Sequence, residues 1–133
     1  MGEGVAGAAE LYGHLIKELN GKGIGYVQVS RYLKDFDLAG RGADVDIAQF
    51  KPLCTKTLFL GNTGYSPAEA EESVASGATD GIVIGRPFIT NPDYPARIFN
   101  GKELSQDFDY VSFYTVPEGK TPAFRYNDYP LAA

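Results

Sequence analysis

Tryptophan is absent from this 133-residue chain, and cysteine, histidine and methionine occur once each. A single cysteine, Cys54, excludes an internal disulfide framework and suits a reducing compartment, so a cytoplasmic protein is expected. His14 and Cys54 together are too few for a structural zinc site, and no metal is expected. Any Ser-His-Asp triad would have to run through His14. Basic residues are also scarce. Lys and Arg number 12 against 17 Asp and Glu, for a net charge of −5. No basic stripe is visible, so nucleic acid is not an expected partner. No run approaches the roughly 20 apolar residues that span a bilayer, and no membrane partner is expected. Met1-Gly2-Glu3-Gly4 has neither the basic nor the apolar region of a signal peptide. What remains is 44% hydrophobic and 22% charged, a globular composition, and the length fits one domain over residues 1–133.

Strands alternate with helices along the chain. Residues 5–19 carry helical period: Val5, Ala8, Leu11, Leu15 and Leu19 share a stripe, with Tyr12 and Ile16 beside it. Asn20-Gly21 supplies the stop. Residues 25–30, GYVQVS, read as a strand because they are β-branched and aromatic. Residues 31–45 form a long polar loop, and 46–53 a weak helix ended by Pro52. Residues 57–60 are a second strand, closed by Gly61-Asn62-Thr63-Gly64. Ser66-Pro67-Ala68-Glu69 then opens a helix with a capping box and runs to Ser76 and Gly77. Residues 81–85, GIVIG, are apolar throughout, as in a strand buried on both faces. After an Arg86-Pro87 turn comes a helix at 94–99. The tail, 102–133, has no clear period and reads as an ordered extension wrapping over something. Such alternation predicts an α/β fold of βαβ units with right-handed crossovers.

Two strand ends carry candidate chemistry. One leads into Gly61-Asn62 and the other into Gly85-Arg86. Parallel strands put their C-terminal ends on one face of a sheet. Glycine there lets backbone N–H groups approach an anion, and Arg86 adds a fork suited to phosphate. The alternative is that these are turn glycines, with Arg86 in a surface ion pair.

Gly61-Asn62, then DGIVIGRPFITNPDYPARI at 80–98, then Ser112-Phe113-Tyr114, resemble the C-terminal part of the old yellow enzyme family. These are FMN-dependent ene-reductases built on a TIM-type (β/α)8 barrel. The resemblance covers nearly the whole chain and is strongest from about 57 to 114. It implies that the three strands are the sixth, seventh and eighth of such a barrel, so that the chain is its last three βα units. It further implies that Gly61, Asn62, Gly85 and Arg86 hold the phosphate and ribityl region of FMN, and that Phe113 and Tyr114 lie beside the flavin ring and substrate. The reductant would be NAD(P)H and the substrate an α,β-unsaturated carbonyl. Where the family often has glycine, this chain has Val83.

The family's first five strands have no counterpart in these 133 residues, since a whole barrel needs about 250 residues. With them go the His/Asn or His/His pair that polarises the carbonyl, the flavin-contacting arginine of the fifth strand, and the tyrosine that protonates the substrate. Tyr114 matches a different tyrosine and His14 does not match the missing histidine, so no catalytic residue is assigned. Two functions stand side by side. One is an FMN-binding part of an NAD(P)H-dependent reductase, inactive in isolation. The other is a non-catalytic binding or interaction protein. Unpaired strand edges predict a homo-oligomer, or a chain that complements this one. For the rest, His14 is expected at the surface, Cys54 in the core, and Asp35, Asp37, Asp44 and Asp46 in a solvated loop. Arg31 and Tyr32 are placed near the mouth of the site.

Overall fold

A computed structural model describes residues 4–37, 39–40 and 42–132. The Met1–Glu3 part of the signal-peptide reading, and Leu38 and Arg41 of the long loop, lie outside the described residues. The chain divides into two compact units, Met1–Val83 and Ile84–Ala133.

The first unit begins with helix α1, Val5–Gly21. Strand β1, Tyr26–Ser30, pairs in parallel with β2, Leu58–Asn62, and β2 pairs in parallel with β3, Gly81–Val83. Helix α2, Pro67–Ala75, connects the second and third strands. The sheet order β1-β2-β3 follows the chain order. Tyr26 stands opposite Leu58, but Gly81 stands opposite Leu60, so β3 enters two residues along β2. Sequential parallel strands with a stagger between them are what an arc of an α/β barrel requires.

The core of this unit lies on one side of the sheet. Val27 and Phe59 are register partners, and Phe59 is completely buried. They pack with Ile16 of α1 and with Val45, Ile47, Phe50 and Cys54. The segment expected as a weak helix is a 3-10 helix, Ile47–Leu53. Asp46 caps it, accepting from the Ala48 N–H at 3.0 Å, and Pro52 lies within it. Cys54 is buried as expected, and burial pushes its thiol pKa up.

Two expectations need correction. The face that α1 buries is centred on Ile16 and includes Ala8, Ala9 and Leu19, so only part of the expected stripe is covered. Leu11 and Leu15 remain 57% and 47% exposed, and Tyr12 48%. An apolar groove of about 580 Å³ runs past these three residues, and β1 lines it with four consecutive residues, Val27–Ser30. Neighbouring strand residues point to opposite faces, so a groove that touches all four opens on the strand's edge. Val27 is buried, while Tyr26 and Leu58 on the other side are exposed. Finally, β3 is shorter than GIVIG and only half-buried.

In the second unit, the residues read as an Arg86-Pro87 turn begin a short helix, α3, Arg86–Thr90. Helix α4 follows at Tyr94–Phe99, as expected. The tail wraps back onto these helices. The Asn91 carboxamide, fully buried, accepts from Ser105 N–H at 2.7 Å and donates to Ser105 O at 3.2 Å. Arg97 donates to Asp93 at 2.6 Å and to the Pro130 carbonyl at 3.0 Å. Asp93 also accepts from Ala132 N–H. The hydrogen bond from Arg97 holds the Asp93 carboxyl below its ordinary pKa.

Candidate functional site

The candidate residues are distributed over both units. In the first, Gly61 and Asn62 are the last two residues of β2, not a turn beyond it. A Cβ on Gly61 would come within 2.9 Å of Tyr65 Oη, 3.0 Å of Ile82 Cδ1 and 3.2 Å of Thr79 Cγ2. Packing within the unit therefore already favours glycine here. Asn62 Oδ1 accepts from the next N–H, that of Thr63. Thr63 and Gly64 follow with φ of 81° and 68°. Such angles suit Gly64 but cost a threonine about 1 kcal/mol or more, so neighbouring structure must hold Thr63 there.

Arg31, just beyond β1, does so. Its N–H donates to Asn62 O at 3.0 Å, and its Nε to Thr63 O at 2.8 Å. Nη2 donates to Gly64 O, and the guanidinium lies 4.0 Å from the centre of the Tyr65 ring. Nη1 and Nη2 reach the Glu69 carboxylate at 3.1 and 3.3 Å. Glu69 is the third residue of α2 and completes its capping box: Ser66 N–H donates to it at 2.8 Å, and Ser66 Oγ accepts from Glu69 N–H at 3.3 Å. The hydrogen bonds from Arg31, then those at Ser66, lower the Glu69 pKa from 4.5 to about 2. The sequence places Arg31 near the mouth of the site, and in the structure its guanidinium is bound to the loop after β2. The signal was only the basic residue at a strand end.

Asp80, just before β3, was missed altogether. Its Oδ2 accepts from the Phe59 N–H and from Lys51 Nζ, both at 2.8 Å, and its own N–H donates to Phe59 O. It thereby ties the start of β3 to β2. The Lys51 hydrogen bond lowers its pKa.

In the second unit, Gly85 precedes α3 and Arg86 opens it. A Cβ on Gly85 would meet nothing within 4 Å, so its surroundings leave room for a ligand. Arg86 is half-buried, with its guanidinium 5.3 Å from the Tyr110 ring centre. Tyr110 meets the buried Phe113 edge-on at 5.9 Å. Arg86, Tyr110 and Phe113 thus form one aromatic and cationic group, while Tyr114 is 77% exposed. Asp109 caps the turn that carries Phe113, accepting from Ser112 Oγ at 2.7 Å and Ser112 N–H at 3.2 Å. Open space at Gly85 and a guanidinium at Arg86 fit a phosphate group. Phe113 is an aromatic surface of the kind that packs beside a flavin, but its ring is covered here. His14 is exposed, and Asp37 organises its loop by accepting from Gly42 N–H at 2.8 Å. Among the described residues, no three His, Cys, Asp or Glu side chains cluster as metal ligands, and no helix is long and apolar enough to cross a membrane.

No protein-family model matches the chain. Individual proteins do. A flavin oxidoreductase of Emericella nidulans is 39% identical over 75 residues, 56% of this chain and 18% of that protein. A Leishmania infantum protein named a probable flavin mononucleotide-dependent alkene reductase is 34% identical over 118 residues, 89% of this chain and 29% of that one. Among solved structures, the old yellow enzyme homologue of Zymomonas mobilis superposes with a TM-score of 0.75 at 28% identity, covering 91% of this chain and 32% of that one. These similarities define an α/β segment with a parallel sheet that matches part of the old yellow enzyme barrel. The chain is a partial homologue of the old yellow enzyme and oxophytodienoate reductase family, and it spans less than a third of each of these relatives.

Proposed function

We propose that this chain is the C-terminal part of an FMN-dependent, NAD(P)H-using ene-reductase of old yellow enzyme type, with β1, β2 and β3 as the sixth, seventh and eighth barrel strands. The observation that carries this reading is the sheet itself. Three parallel strands in chain order, staggered, with a capped helix between the second and third, suit a barrel arc, and the matches to a flavin mononucleotide-dependent relative and to an old yellow enzyme homologue run along 89–91% of the chain. In this reading the chain contributes the phosphate end of the flavin site. By the family resemblance, Arg86 and Gly85 are the phosphate residues of the second unit, Gly61 and Asn62 those of the first, and Phe113 and Tyr114 the residues for the ring and substrate. Flavin brings the hydride chemistry. The groups that polarise an α,β-unsaturated carbonyl and protonate its α-carbon have no counterpart among these 133 residues. The polypeptide alone is therefore a binder of FMN rather than an enzyme, because losing a positioned acid and its hydrogen-bond donors costs factors of about 10² or more each.

FMN fluorescence titration of the purified 133-residue chain, run beside NADPH oxidation with cyclohexenone, tests this. Saturable FMN binding without turnover is expected. A chain that leaves FMN unbound refutes the reading, and turnover at the rate of a full-length relative refutes the division of labour.

A second reading, an interaction protein acting by self-association, draws on the exposed Leu11, Tyr12 and Leu15 beside the edge of β1. Exposed apolar surface of this kind marks contact sites.

A further inference from the structure

One residue holds three successive carbonyls of the loop that leaves β2. Arg31 donates from its main-chain N–H to Asn62 O, from Nε to Thr63 O and from Nη2 to Gly64 O. Its outer face is occupied by Glu69, and its flat side lies against Tyr65. We propose that Arg31 is a positioning residue for flavin phosphate, which it does not touch: it clamps the carbonyl side of the Asn62–Gly64 loop so that the loop's donor side faces the cofactor. This rests on the proposed function, in which the loop belongs to the phosphate end of the site.

The geometry works through the peptide plane. In a trans peptide the C=O and the following N–H point in opposite directions. Turning three carbonyls onto Arg31 turns the following N–H groups away from it; that of Thr63 is taken by Asn62 Oδ1, and those of Gly64 and Tyr65 form the loop's donor side. The turn needs Thr63 at a φ of 81°, which an L side chain adopts only when held. A guanidinium suits the task because its donors are spread in a rigid fork. One fork spans two carbonyls and a carboxylate, which a single ammonium does not. Glu69 in turn anchors the fork to the first turn of α2, so β1, the loop and α2 are tied at one point.

The test compares wild type with Arg31→Lys and Arg31→Ala. Binding of FMN and of riboflavin, which lacks the phosphate, is titrated while the amide resonances of residues 61–65 are followed by NMR. Lysine keeps the positive charge, and with it any long-range attraction for phosphate, but loses the fork. FMN affinity is expected to fall about tenfold in both variants, the worth of one charge-assisted contact set. Riboflavin affinity should be unchanged, the resonances of 62–64 should move, and those of Val27 and Phe59 should stay in place. If alanine unfolds the chain, the lysine variant decides. Full FMN affinity in Arg31→Lys would overturn the proposal, because charge alone would then suffice. So would equal loss of FMN and riboflavin, which is general damage. A wild-type chain that binds no FMN would overturn the proposed function and this inference with it, an outcome recognisable without any variant.

Discussion

Substituting Gly61 by alanine separates two reasons for a glycine at the end of β2. If glycine is there only to admit a ligand, alanine should cost binding and leave stability alone. The structure says otherwise. The new methyl carbon would stand 2.9 Å from Tyr65 Oη, 3.0 Å from Ile82 Cδ1 and 3.2 Å from Thr79 Cγ2. Tyr65 Oη and Ile82 Cδ1 are tips of side chains that can rotate a few tenths of an ångström. Thr79 is the stiff neighbour. It is β-branched, almost fully buried, and held by hydrogen bonds to Ser73 through both its hydroxyl and its N–H. Overpacking of this kind costs about 1–3 kcal/mol. The lower entropy of an unfolded chain with alanine returns about 0.4–1 kcal/mol. At mid-range the two terms differ by about 1.3 kcal/mol, so Gly61→Ala should lose about that much in urea unfolding, measured without flavin. Adding Ile82→Val removes Cδ1 and should recover part of that loss, giving a coupling of about 0.5 kcal/mol or more in the double-mutant cycle. A Gly61→Ala chain as stable as wild type, or a cycle with zero coupling, would refute the packing argument.

Three further outcomes follow from the same contacts. Arg86→Ala should weaken FMN binding by about 1.5–3 kcal/mol, read by fluorescence titration, and equal affinities would remove the Gly85-Arg86 turn from the phosphate site. Glu69 has its carboxyl pKa lowered from 4.5 to about 2 by Arg31, so its contribution to stability is complete above pH 4.5 and fades as pH falls toward 2. The gap in thermal midpoint between wild type and Glu69→Gln should accordingly be constant from pH 7 to 5 and close below that, and a gap that persists at pH 2 would contradict the assignment. Light scattering on a gel-filtration column should show an assembly larger than 14.4 kDa at micromolar concentration, reduced to monomer by Leu11→Glu with Leu15→Glu. A cooperatively melting wild-type monomer would rule the assembly out.

Local chemistry made much of this protein readable from its residues. Ser66, Pro67 and Glu69 specify a helix start within four positions, and the capping box forms as written because every partner lies within one turn. Asn100-Gly101 ends α4 for an equally local reason. The βαβ alternation and the family resemblance likewise reside in contiguous stretches. The decisions that needed tertiary structure all depend on residues far apart in the chain. Which stripe of α1 is buried depends on where Phe50 and Phe59 come to lie. Helical period alone shows an apolar arc wide enough to include both Ile16 and Leu15. Gly61 resembles a ligand-binding glycine until Thr79 and Ile82 are brought against it. Arg31 and Glu69 are 38 positions apart, and nothing local marks one as the partner of the other. Asp80 gains its role only when β3 is laid beside β2. Caps and turns are set by hydrogen bonds spanning three or four residues, so a linear reading finds them. Burial and charge pairing are set by chain segments that meet only after the sheet has formed, and the sheet supplies that information.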